Sequence, residues 1–125
     1  MTMANERTRS LRWAHEVLNE ISGDESIEDS GRASATAALR IFPSPAAVSG
    51  WIEADVTCIE SDAADAIEQA GKLLRSIRLS DSCSEQLRRS ITYVLRHYPQ
   101  PEEAKRWTRS STARSIRYWL LPEDV

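Results

Sequence analysis

Glycine, cysteine and histidine are scarce in this chain of 125 residues, which holds four, two and two of them. None of the glycines lies in a loop that could cradle a phosphate, and no serine stands in a Gly-x-Ser-x-Gly elbow. His15 and His97 lack the Cys, His or carboxylate spacing of a metal site, so neither a metal nor another cofactor is expected. Cys58 and Cys83 sit in unequal contexts and read as free thiols. No apolar run approaches bilayer length, and the start Met1-Thr2-Met3-Ala4-Asn5-Glu6 carries no hydrophobic signal region, so a cytosolic protein is expected. No stretch alternates with period two between turn signals, which argues against strands. Without a recognisable nucleophile, acid-base pair or phosphate loop, a non-catalytic protein is expected.

What the chain does have is a joint written twice. Leu39-Arg40-Ile41-Phe42-Pro43-Ser44-Pro45 returns further along as Leu95-Arg96-His97-Tyr98-Pro99-Gln100-Pro101. At the same distance past each second proline stands a tryptophan, Trp51 and Trp107. Aligning Ser10 to Trp51 with Ala66 to Trp107, without a gap, gives 12 identities in 42 pairs. Average residue usage would give roughly 2 to 3. A fixed period of this kind points to repeated structural units.

Apolar residues at helical spacing fill in the rest. Leu11, Ala14, Leu18 and Ile21 mark a first helix from about Asn5 to Ile21, closed by Gly23. Ser26 to Asp29 and Ser82 to Glu85 read as capping boxes opening the second and fifth helices. Pro43 stops the second helix, and Ser44 with Pro45 starts a third whose stripe is Val48, Ile52, Val56 and Ile59. A break at Ser61-Asp62 separates it from a fourth carrying Ala63, Ile67, Ala70, Leu74 and Ile77, because one helix from Pro45 to Ile77 would be unusually long. The fifth, from about Ser84 to Tyr98, carries Leu87, Ile91, Val94, Leu95 and Tyr98, and the sixth starts at Pro101 with Glu102 and Glu103 at its positive end. Ser115 to Leu121 reads as a seventh, closed by Pro122. The expected fold is all-α: a single domain of about seven helices, in two tandem three-helix units (about 5–60 and 62–109) and a C-terminal helix (about 111–121). Trp51 and Trp107 are expected to fill equivalent core positions, and His97, replaced by Ile41 in the first unit, to be structural or exposed.

Glu6-Arg7-Thr8-Arg9 near the start and Leu95-Arg96-His97-Tyr98-Pro99 at the end of the fifth helix resemble a group of short, uncharacterised proteobacterial proteins. These pair an ERTR segment with a single LRHYP ending. The resemblance covers two brief motifs and implies a bacterial cytosolic protein with no stated activity. Here the ERTR segment lies in the first unit and the intact LRHYP in the second, as a duplicated or enlarged relative would have them.

The net charge of −3 hides a split. Residues 1–65 hold five Arg against twelve acids, net −7, and residues 66–125 hold eleven Lys and Arg against seven acids, net +4. Glu16, Glu20, Asp24, Glu25, Glu28 and Asp29 form an acidic stretch at the first inter-helix turn, in which Glu16 and Glu20 repel one another across one helical turn. Such a surface suits a protein that blocks a basic site on a partner protein, as an inhibitor of the immunity or anti-defence kind would. The alternative is a nucleic-acid-associated regulator using Lys105, Arg106, Arg109, Arg114 and Arg117, interleaved with Trp107, Tyr118 and Trp119. A sequence pI near 5.4 and the lack of a nucleic-acid-binding motif weigh against that alternative.

Overall fold

The computed structural model describes residues 4–54, 56, 58–108 and 120. Among these residues the chain forms six α-helices and no strand. They are α1 (Ala4–Gly23), α2 (Asp29–Ile41), α3 (Pro45–Glu53), α4 (Ser61–Arg78), α5 (Glu85–His97) and α6 (Pro101–Arg106). The seventh helix expected over 111–121 lies outside the described residues, apart from Leu120, which is fully buried in the core. No described helix is long and apolar enough to cross a membrane.

The stripes read from the sequence are the faces that go inside. Leu11, Ala14, Leu18 and Ile21 of α1 are wholly buried, as are Ile67, Ala70 and Leu74 of α4. Around them close Ala35 and Phe42 from α2 and the turn after it, and Leu87, Ile91, Val94 and Tyr98 from α5 and the turn after that. α2 and α5 each lie against both α1 and α4, so these four helices form a closed ring, with α3 set on α1 and α6 on α4. Burial of one apolar face per helix, not local propensity, holds such short helices in place.

Helix bounds repeat at the offset that carries Leu39 to Leu95. Shifted by it, α2 falls on 85–97, the span of α5, and Pro45 falls on Pro101, the first residue of α6. The turns match as well. Asp24 N–H donates to Ile21 O and Ile27 N–H to Asp24 O, while Ser80 N–H donates to Ile77 O and Cys83 N–H to Ser80 O.

Several local expectations change. Ser26 does not cap α2: its N–H and hydroxyl donate to Asp24 Oδ1 at 2.9 and 2.6 Å, forming an Asx turn that postpones the helix to Asp29, with Glu28 at the N-cap. Ser82 is displaced in the same way by the Ser80 hydroxyl, and Ser84 caps α5 by accepting from Leu87 N–H at 3.1 Å. α3 ends at Glu53, well short of Ile59. Ile59 is still buried, but its N–H donates to Trp107 O at 2.8 Å, so an inter-segment bond takes the place of a helical one. Trp107 is 1% exposed, whereas Trp51, beside the end of the short α3, is only partly buried. The two tryptophans do not fill equivalent places.

Arg88 shows how firmly the second turn is tied. Its guanidinium donates to the carbonyls of Arg78, Ser80 and Cys83 at 3.0 to 3.3 Å and pairs with Glu85 at 3.0 Å. The bond to Arg78 serves a carbonyl at the end of α4 that has no helical partner, and those to Ser80 and Cys83 brace the turn that leads into α5. Arg32, its counterpart at the common offset, pairs with Asp29.

Candidate functional site

Two surfaces can be built from the fold. The first is the acidic arc. Glu16 and Glu20 lie exposed one turn apart on α1, and Trp13, 38% exposed, is one turn before Glu16 on the same face. The arc continues through the turn, where Glu25 and Glu28 are exposed, and into α2 with exposed Asp29. Asp24 is committed to Ser26, whose hydroxyl and amide bonds hold its carboxyl below the ordinary value of 3.8. Asp29 is committed to Arg32. Glu16, Glu20, Glu25 and Glu28 have no ion-pair partner among the described residues, so four carboxylates face solvent along one run of chain.

The second surface is the crevice between α1 and α5, lined by Glu6, Arg9, Ser10, Trp13, Tyr93 and His97. Here the ERTR and LRHYP segments meet. His97 Nε2 lies 3.0 Å from Glu6 Oε2, and His97 Nδ1 is buried without a hydrogen-bond partner. Trp13 and Tyr93 stack at a tilt, 4.7 Å between centroids, and Arg96 lies 5.9 Å from the Tyr93 ring centre. The Ser10 hydroxyl shares its proton between the carbonyls of Arg7 at 2.8 Å and His97 at 3.1 Å, satisfying a carbonyl at the end of α5.

The remaining motif residues join helices. Arg7 Nε approaches Glu103 of α6 at 3.8 Å, and Thr8 is fully buried. Tyr98 is buried and donates its hydroxyl to Ile67 O of α4 at 2.6 Å, and burial pushes that phenol far above its usual range. A side chain on Gly71 would come within 3.0 Å of the Tyr98 ring, so this glycine makes room for it. His15 sits beside the Phe42 ring, 6.4 Å between centroids.

In chemical terms the crevice offers one carboxylate and one imidazole already bonded to each other, and a serine whose proton points at main-chain carbonyls. Such a set orients helices and presents aromatic faces, which suits binding. Among the described residues no three His, Cys, Asp or Glu gather where a metal ion could be held.

Of the basic stretch, Lys105 and Arg106 are exposed in the last turn of α6, while Arg109, Arg114 and Arg117 lie outside the described residues. Trp13, Tyr93 and the Glu6–His97 pair were not singled out by sequence reasoning. For Trp13 and Tyr93 the signal is difference at the common offset, where Gln69 and Ala37 stand; for His97 the same difference from Ile41 points to a structural or exposed residue and does not reveal its partner Glu6. No protein-family model, curated protein or solved structure matches the chain.

Proposed function

We propose that the chain is built from two related three-helix units, set apart by the offset from Leu39 to Leu95, and serves as a non-catalytic protein-interaction module. Its finer role is that of an inhibitor, of the immunity or anti-defence type in a bacterial cytoplasm, that occludes a basic surface of a partner protein. The observation that carries this reading is the run of unpaired, exposed Glu16, Glu20, Glu25 and Glu28, with the exposed Trp13 on the same α1 face. Unpaired carboxylates steer a basic partner, and a half-exposed aromatic pair supplies the apolar anchor that charge alone does not. The ring of buried stripes supports it by fixing this face on rigid helices.

The test is kinetic. With a partner captured from the native host and purified, Glu20→Lys with Glu25→Lys is expected to weaken the complex at least about tenfold, near 1.4 kcal/mol, mainly through a slower on-rate that salt mimics. The helical signal and urea midpoint should stay at wild-type values. An unchanged affinity would overturn the reading. The alternative, nucleic-acid association through Lys105 and Arg106 with the chain beyond them, would show instead as a steep salt dependence of binding that Arg106→Glu reduces.

A further inference from the structure

The crevice between α1 and α5 has a counterpart that no described residue fills. Between α2 and α4 runs a groove of about 520 Å³, lined by Ala37, Ala38, Ile41, Gln69, Lys72 and Leu73 together with Ser34. Ile41 stands 56% exposed at its edge. Ala37, Ile41 and Gln69 occupy the positions that Tyr93, His97 and Trp13 hold at the common offset. Where those three side chains stand, the α1–α5 crevice is closed to about 10 Å³. The fold therefore shows an aromatic pair seated between two such helices, and a second pair of helices with Gln69 and Ala37 where the aromatics would be.

The charges along the two stripes are reversed. Arg9, Trp13 and Glu16 follow one another at helical spacing along α1, and Asp65, Gln69 and Lys72 do so along α4. Arg9 faces Asp65 at the common offset, and Glu16 faces Lys72. Both stripes rise about 10.5 Å along their helices, so parallel stripes would match in register at both ends. Lys72 holds its own neighbour Glu68 only at 3.8 Å and leaves most of its side chain in solvent.

We propose that the α2–α4 groove receives the Trp13–Tyr93 face of a second copy of this chain. Trp13 enters the space above Ala37 and Gln69, Arg9 meets Asp65, and Glu16 meets Lys72. Because the two faces differ, the contact is heterologous, and it continues from copy to copy unless a ring closes. It goes beyond the partner-binding reading and shares Glu16 and Trp13 with it, so a copy and a basic partner compete for that face. The groove belongs to self-association alone.

Sedimentation velocity over a concentration series at low salt tests this on the full chain. The wild-type mass should rise above the monomer with concentration, and high salt should weaken the association. Trp13→Ala removes the inserted residue and Ile41→Asp charges the groove edge; each alone should stay monomeric. Mixed in equal amounts they should form a one-to-one dimer, since each keeps the face the other has lost. Lys72→Glu provides a second groove variant and should be rescued by mixing with Glu16→Lys. Helical signal and urea midpoint confirm that each variant is folded. A wild-type monomer at every concentration overturns the proposal. So does association that Trp13→Ala abolishes and the groove variants spare, which would mean two aromatic faces meeting symmetrically. Neither result touches the Glu20 and Glu25 test, so the two readings fail separately.

Discussion

Leu11, Ala14 and Leu18 of α1 and Ile67, Ala70 and Leu74 of α4 correspond at the common offset and are all fully buried. Trp13 and Gln69, at the same offset in the same two helices, are both exposed and chemically unlike. Along these stripes α1 and α4 agree inside and diverge outside. Where a helix must bury a face against two others, only apolar residues of fitting volume serve, and both halves keep them. On the outer faces packing imposes little, so Arg9 and Asp65, or Glu16 and Lys72, are free to differ in sign. The comparison separates what holds the ring together from what a partner would meet.

The largest break in the correspondence lies at the tryptophans. Trp107 is enclosed by the core and Trp51 is not. Trp107→Ala should cost about 3 to 5 kcal/mol, seen as a fall in the urea midpoint. Trp51→Ala should cost roughly 1 to 2 kcal/mol, in keeping with its partial burial. Equal costs would mean that the two sites are packed alike in solution and that the first half is tighter than its accessibility indicates.

These tryptophans also show where sequence reasoning stops. Helical stripes, the proline-started helices and the Ser44 cap, which accepts from Ala47 N–H at 3.1 Å, are local and were legible. The place of Trp51 depends on how far α3 runs, and α3 ends at Glu53 while Ile59 bonds to Trp107 across the fold, a contact that local spacing does not reveal. α2 starts later than Ser26 indicates because Asp24 takes the amide and hydroxyl protons of Ser26, whereas α5 starts at the expected Ser84, which serves as its cap in place of Ser82. Of the candidate site, the acidic arc is contiguous in the chain and could be read directly. The Glu6–His97 contact joins residues far apart in the chain, so the motifs were visible separately and their meeting was not.

The turns offer a smaller contrast. Asp24 and Ser80 hold the same position, but only Asp24 titrates. Its carboxyl, bonded by Ser26, has a folded pKa below the unfolded one, so its stabilising effect is present in full above the ordinary carboxylate value and is lost as pH falls through the folded value. Asp24→Ser, which gives the first turn the chemistry of the second, should lower the urea midpoint slightly at neutral pH and not at all in strong acid. A difference that persists unchanged in acid would show that the charge on Asp24 is not what the turn uses.

The smallest change in stability is expected from the variant that tests the correspondence most directly. Gln69→Trp combined with Ala37→Tyr places the aromatic pair of the α1–α5 crevice into the α2–α4 groove. If the two helix pairs are equivalent frames, the pair should seat there with the urea midpoint unchanged or raised by up to about 1 kcal/mol, the worth of an added aromatic contact. Indole fluorescence should shift modestly to shorter wavelength, since Trp13 in its own frame is still 38% exposed. A clear fall in the midpoint, with the added indole remaining in solvent, would contradict the view that this chain uses one frame twice and differs only in what it places on the surface.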